Sequence, residues 1–366
     1  MKKILIYFLL AVSHCCFAED AKTVTIMTYK DLRSKPWDPD SIKEGITGSE
    51  EAVIYMGQKL ADIGYKVLVV GMPPKNSPHS KPTANPRYID VADDNGSPCD
   101  IIISWRIATN GPLLKKRAKQ VYLWPHDTFP YPISQELINA YDDVLWLSEW
   151  QRKDYMQTNP GFAKFTKIFG NGINPEQFSP VTVRKNPYSC IYSSNYARGL
   201  EILLDIWPEV KRRFPRATLD IYYGWQTWGL LSKQKEQFMQ AQVDVYDILD
   251  IKEHGLVSHE ELNEAYSKAS LWTYPCIAPE TFCITALRAQ MNGCIPVVLL
   301  GTGLHETVRH GFTCTERELY LRELVKAMHL IHGCNLETRE KMREFILEEY
   351  TWEKIAHKWD ELFSAK

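Results

Sequence analysis

Short runs of β-branched and aromatic residues alternate with amphipathic stretches along almost the whole chain, the pattern of parallel sheets covered by helices on both faces. The strands expected from it fall at 23–28, 66–70, 100–104, 120–124 and 144–148. A second series follows at 189–193, 218–223, 252–256, 271–274 and 296–299. The two series meet near 178–187, where Pro180 and Pro187 flank a polar stretch suited to a linker. The reading is therefore α/β, with two doubly wound domains facing a cleft. A length of 366 residues supplies a core for each. The expected divisions are 19–178 for the first domain, 179–348 for the second and 349–366 for a final helix. Trp352, Ile355, Ala356, Trp359 and Phe363 lie on one face of that helix, which is expected to pack back on the first domain.

Two features bear on compartment and partners. Lys2 and Lys3, an apolar run from Ile4 to Val12, and Cys16-Phe17-Ala18 before Glu19 form a secretory signal pattern over residues 1–18, too short for a membrane span. It implies the secretory pathway or periplasm, or the cytoplasm if the segment is not used. Cysteine usage pulls the other way. Cys99, Cys190, Cys276, Cys283, Cys294, Cys314 and Cys334 remain after cleavage, an odd number with no C-x-x-C pair, so they are read as buried thiols rather than a disulfide framework or metal site. A formal net charge of -2 without a long basic block excludes nucleic acid as a first expectation, and no strong membrane signal remains once residues 1–18 are set aside.

Four constellations carry possible chemistry. Gly45-Ile46-Thr47-Gly48-Ser49-Glu50-Glu51 follows the first strand and opens a helix expected over 51–63. Its glycines permit close approach of a ligand and its free N–H groups favour an anion, while Ser49 as a simple N-cap is the alternative. Trp124-Pro125-His126-Asp127 ends a strand at the edge where open α/β sheets bind ligands, so His126 is either a proton-handling group or a structural histidine. Ser193 to Gly199 places Arg198 and Gly199 past a strand and ahead of a helix, where a guanidinium grips phosphate oxygens. The stretch Tyr274 to Val298 ends a strand, turns through Pro279-Glu280, and starts a helix at Thr281-Phe282-Cys283-Ile284. A carboxylate and a helix N-terminus thereby share one side of a cleft.

These residues resemble the retaining glycosyltransferases of the group 1 or family 4 type, which have the two-domain GT-B fold. The resemblance runs from about Thr23 to Trp359 and is most specific from Glu280 to Val298, supported by Asn171-Gly172-Ile173-Asn174 and Arg198-Gly199-Leu200. It implies that Glu280 contacts donor-sugar hydroxyls and that His126 lies near the reacting carbon. Arg198, with Gly199 and the amides of Thr281, Phe282, Cys283 and Ile284, would face the diphosphate, and Gly48, Ser49 and Glu50, resembling the family's glycine-rich loop, the donor phosphates and the cleft and acceptor side. No cofactor and no metal are implied. Two positions depart from the pattern: Arg288 stands where a second, ribose-binding glutamate is usual, and Cys283 where a glycine is usual. Arg288 is expected either to weaken the donor site or to meet a phosphate of an altered donor.

The function expected is transfer of a hexose from a nucleotide-diphosphate sugar to a hydroxyl of a glycan, lipid or protein acceptor. A catalytically silent GT-B protein that binds glycan or nucleotide is the alternative, favoured by Arg288, Cys283 and the export signal.

Overall fold

The computed structural model describes residues 21–29, 35–179, 185–225, 232–245, 249–331 and 336–365. The expected signal segment, Pro180 and Cys334 lie outside these. The first part of the described chain supplies the strands β1 Thr23–Met27, β2 Lys66–Gly71, β3 Arg87–Asp90, β4 Cys99–Trp105, β5 Ala118–Trp124 and β6 Asp143–Val144. They form one parallel sheet in the order β3-β2-β1-β4-β5-β6. The second part supplies β7 Ser189–Ser193, β8 Thr218–Tyr222, β9 Ile251–Gly255, β10 Leu271–Tyr274, β11 Ile295–Leu299 and β12 Phe312–Cys314. These build a second parallel sheet, β12-β11-β10-β7-β8-β9.

Both sheets are doubly wound, as expected. Parallel strands need cover on both faces, and the run Ile101-Ile102-Ile103 in β4 is accordingly at most 1% exposed. In each sheet the winding reverses beside the first strand, between β1 and β4 and between β7 and β10. The loops leaving those strand ends border the crevice where such folds bind ligands.

The final helix, Trp352–Ser364, lies on the first sheet rather than the second. Trp359 meets Trp124 edge to face with ring centroids 4.8 Å apart, Phe363 packs on Tyr122, and Tyr65 donates to Asp360 Oδ1 at 2.6 Å. Phe282, Ile284, Leu287 and Met291 from the second half belong to the same buried cluster, so apolar packing is continuous between the two halves. Among the described residues no helix is long and apolar enough to cross a membrane. The six described cysteines are free thiols.

Several local expectations are corrected. β3 and β12 are additional edge strands, and the strand expected at 144–148 pairs only through Asp143–Val144. The first long helix is Gly48–Asp62, three residues earlier than expected, because Thr47 rather than Ser49 takes the extended N-cap backbone. The final helix expected over 349–366 is Trp352–Ser364, and a separate helix, Leu336–Glu349, precedes it. They part at Tyr350 and Thr351, where the chain exchanges backbone hydrogen bonds with Ile173. Gly172 is required there, since a Cβ would stand 2.5 Å from the Trp352 nitrogen.

Candidate active site

The turn after β10 carries Glu280, and the turn after the neighbouring β7 carries Arg198. Parallel pairing of those strands brings the two side chains together: Arg198 Nη1 donates to Glu280 Oε1 at 3.0 Å. The Tyr274 hydroxyl donates to the other oxygen, Oε2, at 2.7 Å. The carboxylate thus receives one charged and one neutral donor, and its charge holds the Arg198 guanidinium more firmly protonated than usual. Tyr274 is fully buried, which together with the nearby Glu280 charge raises its hydroxyl well above the ordinary tyrosine range. It is a permanent donor at neutral pH.

The backbone around Glu280 is clamped from the loop after β11. Glu280 donates its N–H to Thr302 Oγ1 at 3.0 Å and accepts the Gly303 N–H at 2.7 Å. Thr302 is β-branched yet has φ +58, a conformation that persists only where surroundings enforce it. Gly199 has φ +103, and a Cβ there would meet the Pro275 carbonyl oxygen at 2.0 Å, so only glycine lets the Arg198 turn approach the Glu280 turn.

Thr281 links this edge to the first domain. Its Oγ1 donates to the His126 carbonyl at 2.9 Å, and its own carbonyl accepts Ser148 Oγ at 2.6 Å. Phe282 turns the opposite way, 1% exposed and edge-on to Tyr350, so its side chain belongs to the core. Cys283 is the N-cap of the helix Ile284–Met291 with φ +74, and no side chain caps that helix. Across the cleft the helix Gly48–Asp62 also starts without a side-chain cap bond, and a Cβ on Gly48 would lie 3.6 Å from Ile284 Cδ1. Two helix N-termini, each a partial positive charge, therefore face one another.

His126 sits on the first-domain wall, 7% exposed, against Trp124 at 4.6 Å and Trp105 at 5.8 Å between ring centroids. Its Nε2 is buried without a hydrogen-bond partner. Burial, reinforced by the Arg106 charge, drives its pKa well below the ordinary imidazole value and keeps the ring neutral. Arg106 was not marked by any sequence pattern. It donates from Nη2 to Ser49 Oγ at 2.8 Å, reaches Asp127 with Nε at 3.1 Å, and lies over the Trp105 ring at 4.4 Å. Glu50 is buried and accepts the Thr47 hydroxyl.

Arg288 is held by partners within the chain. It is 3% exposed, donates to Glu51 Oε1 at 2.8 Å and to Asn263 Oδ1 at 2.8 Å, and approaches His259 Nδ1 at 3.5 Å. The guanidinium is thereby spent on a carboxylate of the first domain. Asp38, Asp40 and His79 hold possible ligand atoms within 4.8 Å of one another. The two carboxylates are engaged locally: Asp38 accepts Ser77 Oγ at 2.5 Å, which ties together two loops of the first domain, and Asp40 pairs with Lys43 at 2.7 Å.

Residues 174–361, just over half of the chain, match the family model described as glycosyl transferases group 1. No curated protein matches the sequence. Solved structures match in fold. A glycosyltransferase from Rickettsia africae is 13% identical with a TM-score of 0.72, covering 94% of this chain and 98% of that one. Sucrose-phosphate synthase from Thermosynechococcus elongatus is 16% identical with a TM-score of 0.71, covering 94% and 100%. Anabaena Alr3699/HepE, solved in complex with UDP and glucose, is 15% identical with a TM-score of 0.65, covering 94% and 100%.

Proposed function

The chain belongs to the group 1 glycosyl transferases, and from that membership we propose that it moves a hexose from a nucleotide-diphosphate sugar to a hydroxyl acceptor with retention of configuration. The observation that carries the reading is the convergence on one cleft of Glu280, Arg198, the uncapped Ile284–Met291 helix and neutral His126, joined across the halves by the Thr281 to His126 bond. Anabaena HepE, of the same fold, holds UDP and glucose, which supports a nucleotide sugar as the donor class.

In this reading Glu280 accepts donor-sugar hydroxyls, and its bonds from Tyr274 and Arg198 fix its orientation. The diphosphate lies against Arg198 and the amides of Thr281 to Ile284, with the helix dipole stabilising charge as it develops on the leaving oxygen. The acceptor hydroxyl attacks the anomeric carbon on the face from which the phosphate departs. The carbon–oxygen bond to the diphosphate breaks with its electron pair, and the hydroxyl proton passes to the departing phosphate oxygen. His126, neutral and short of a partner, offers a hydrogen bond to a sugar hydroxyl beside that carbon. No metal is required by this scheme, because guanidinium and helix termini carry the charge. Secretion through residues 1–18 is part of the same proposal.

The Glu51–Arg288 pair is the observation on the side of a second reading, a protein that binds a nucleotide sugar without transferring it. Turnover of the purified protein with a panel of nucleotide sugars decides: release of nucleoside diphosphate that Glu280→Ala abolishes supports transfer. Absence of both transfer and hydrolysis with every donor overturns it.

A further inference from the structure

Asp38, Asp40 and His79 meet where two loops of the first domain touch. One loop runs from β1 to the helix Gly48–Asp62 and the other from β2 to β3. Since β1 and β2 are parallel neighbours, both loops leave the same edge of the sheet. Asp38 is buried, and its donors are neutral: the Asp40 N–H meets Oδ1 at 2.9 Å and Ser77 Oγ meets Oδ2 at 2.5 Å. The cationic groups close by, Lys43 and His79, both approach Asp40 instead. A carboxylate out of water with only neutral donors is unfavourable until a cation joins it, and each of its oxygens keeps a lone pair for one.

The other two members leave room for the same cation. His79 Nε2 lies 3.3 Å from Asp40 Oδ2, yet this buried atom has no aligned hydrogen-bond partner. Two ligands on a tetrahedral ion with bonds of about 2.0 to 2.1 Å stand about 3.3 Å apart. Lys43, the present partner of Asp40, is 79% exposed at its side chain and is therefore a weak, displaceable counter-ion. An independent observation comes from Tyr88 in β3, which is 1% exposed and outside the triad. Its ring meets that of His79 edge to face at 6.2 Å, and its hydroxyl has no hydrogen-bond partner. Burial, and after it the Asp38 charge, raises that hydroxyl above the ordinary tyrosine range. A buried hydroxyl facing Asp38 and His79 yet bonded to neither is placed to meet a water held on an ion.

We propose that Asp38, Asp40 and His79 bind one divalent transition-metal ion of the zinc type, with water in the fourth position against Tyr88. Mixed carboxylate and imidazole donors suit zinc better than calcium or magnesium, which take oxygen ligands. Asp40 and His79 are partly exposed, so rotation of these two side chains closes a set spread over at most 4.8 Å on a single ion. The ion clips the two loops together. Through Trp37, packed on both Tyr88 and Trp105, it stiffens the wall that carries His126. The site involves neither Glu280 nor Arg198 and rests on no turnover.

Calorimetry on the full chain, stripped beforehand with a chelator, tests it with zinc chloride as the probe and calcium and magnesium chlorides as comparisons. Wild type is expected to take up zinc at least tenfold more tightly than either comparison ion, with a rise in thermal midpoint. Asp40→Asn and His79→Gln should each lose at least tenfold in zinc affinity. Their metal-free midpoints should stay within about 2 °C of wild type, because both side chains are partly exposed. The proposal is overturned if wild type binds no zinc, or if calcium binds as tightly. Zinc affinity within twofold of wild type in both variants places the ion on other histidines or cysteines and overturns it as well.

Discussion

Arg288 and Glu51 are 237 positions apart in sequence and 2.8 Å apart in space, each at most 6% exposed at its side chain, and they join the helix Ile284–Met291 to the helix Gly48–Asp62 across the cleft. Breaking a buried pair by removing one charge costs about 3 to 5 kcal/mol, since the survivor is left unpaired out of water. Replacing both by apolar groups of similar size is close to neutral. Glu51→Gln should therefore lower the urea midpoint strongly, and Glu51→Leu with Arg288→Met should restore most of it. A double variant no better than the single one sinks this account.

Gly199 is the narrowest point between the Arg198 and Glu280 turns. Alanine there meets a backbone carbonyl at 2.0 Å and must hold φ near +103. Left-handed strain alone costs about 1 to 2 kcal/mol, and displacement of the Pro275 carbonyl adds to it. Gly199→Ala is expected to lose more than about 2 kcal/mol of stability in chemical denaturation. An unchanged midpoint contradicts the close approach described.

Tyr274 is a positioning residue for Glu280, acting through the 2.7 Å bond to Oε2. A hydrogen bond to a charged group is worth about 1.5 to 3 kcal/mol, so Tyr274→Phe should reduce kcat/KM for the donor by roughly tenfold or more. Its fold should be retained, because the ring is kept. Kinetics on the donor that proves active supply the check, and a ratio within twofold of wild type rejects the role.

His126 gives stability a pH dependence of known sign. Its pKa is depressed in the folded state, so below the ordinary value of 6.5 the unfolded chain binds a proton that the folded chain does not. The contribution is fully present above that pH and is lost as pH falls, at about 1.4 kcal/mol per pH unit. His259, depressed chiefly by burial, acts in the same direction. His126→Gln is expected to lose stability less steeply than wild type between pH 6.5 and 5. Parallel stability curves for the two proteins would falsify it.

The fold was largely legible because its strands are apolar on both faces. The run Lys66 to Val70 and the isoleucines of β4 announce themselves, whereas Arg87–Asp90 is half polar and Phe312–Cys314 only three residues long, as befits sheet edges. The site was legible where a turn chemistry marks it, at Arg198-Gly199 and at Glu280. It was illegible where a residue matters through a distant partner. Arg106 is 57 positions from Ser49, and Tyr274 gives no sign in β10 that its hydroxyl reaches back to Glu280. Thr47 and Ser49 are both capable N-caps, and the choice between them is made by where the loop enters the helix. Arg288 read as a donor-site change from its position alone, and only Glu51, on another domain, shows what it is bound to.

The seating of Trp359 on Trp124 carries a consequence for how the molecule comes into being. Residues 23–178 precede the final helix in the chain, but one face of the sheet they build, covered in part by the helix Gly48–Asp62, lacks the rest of its cover until residues 352–364 exist, after every described strand of the other half has been made. During translation the first half therefore waits with part of an apolar face open, a state prone to association with other chains. The half begun first is finished only after the strands of the other half have been made.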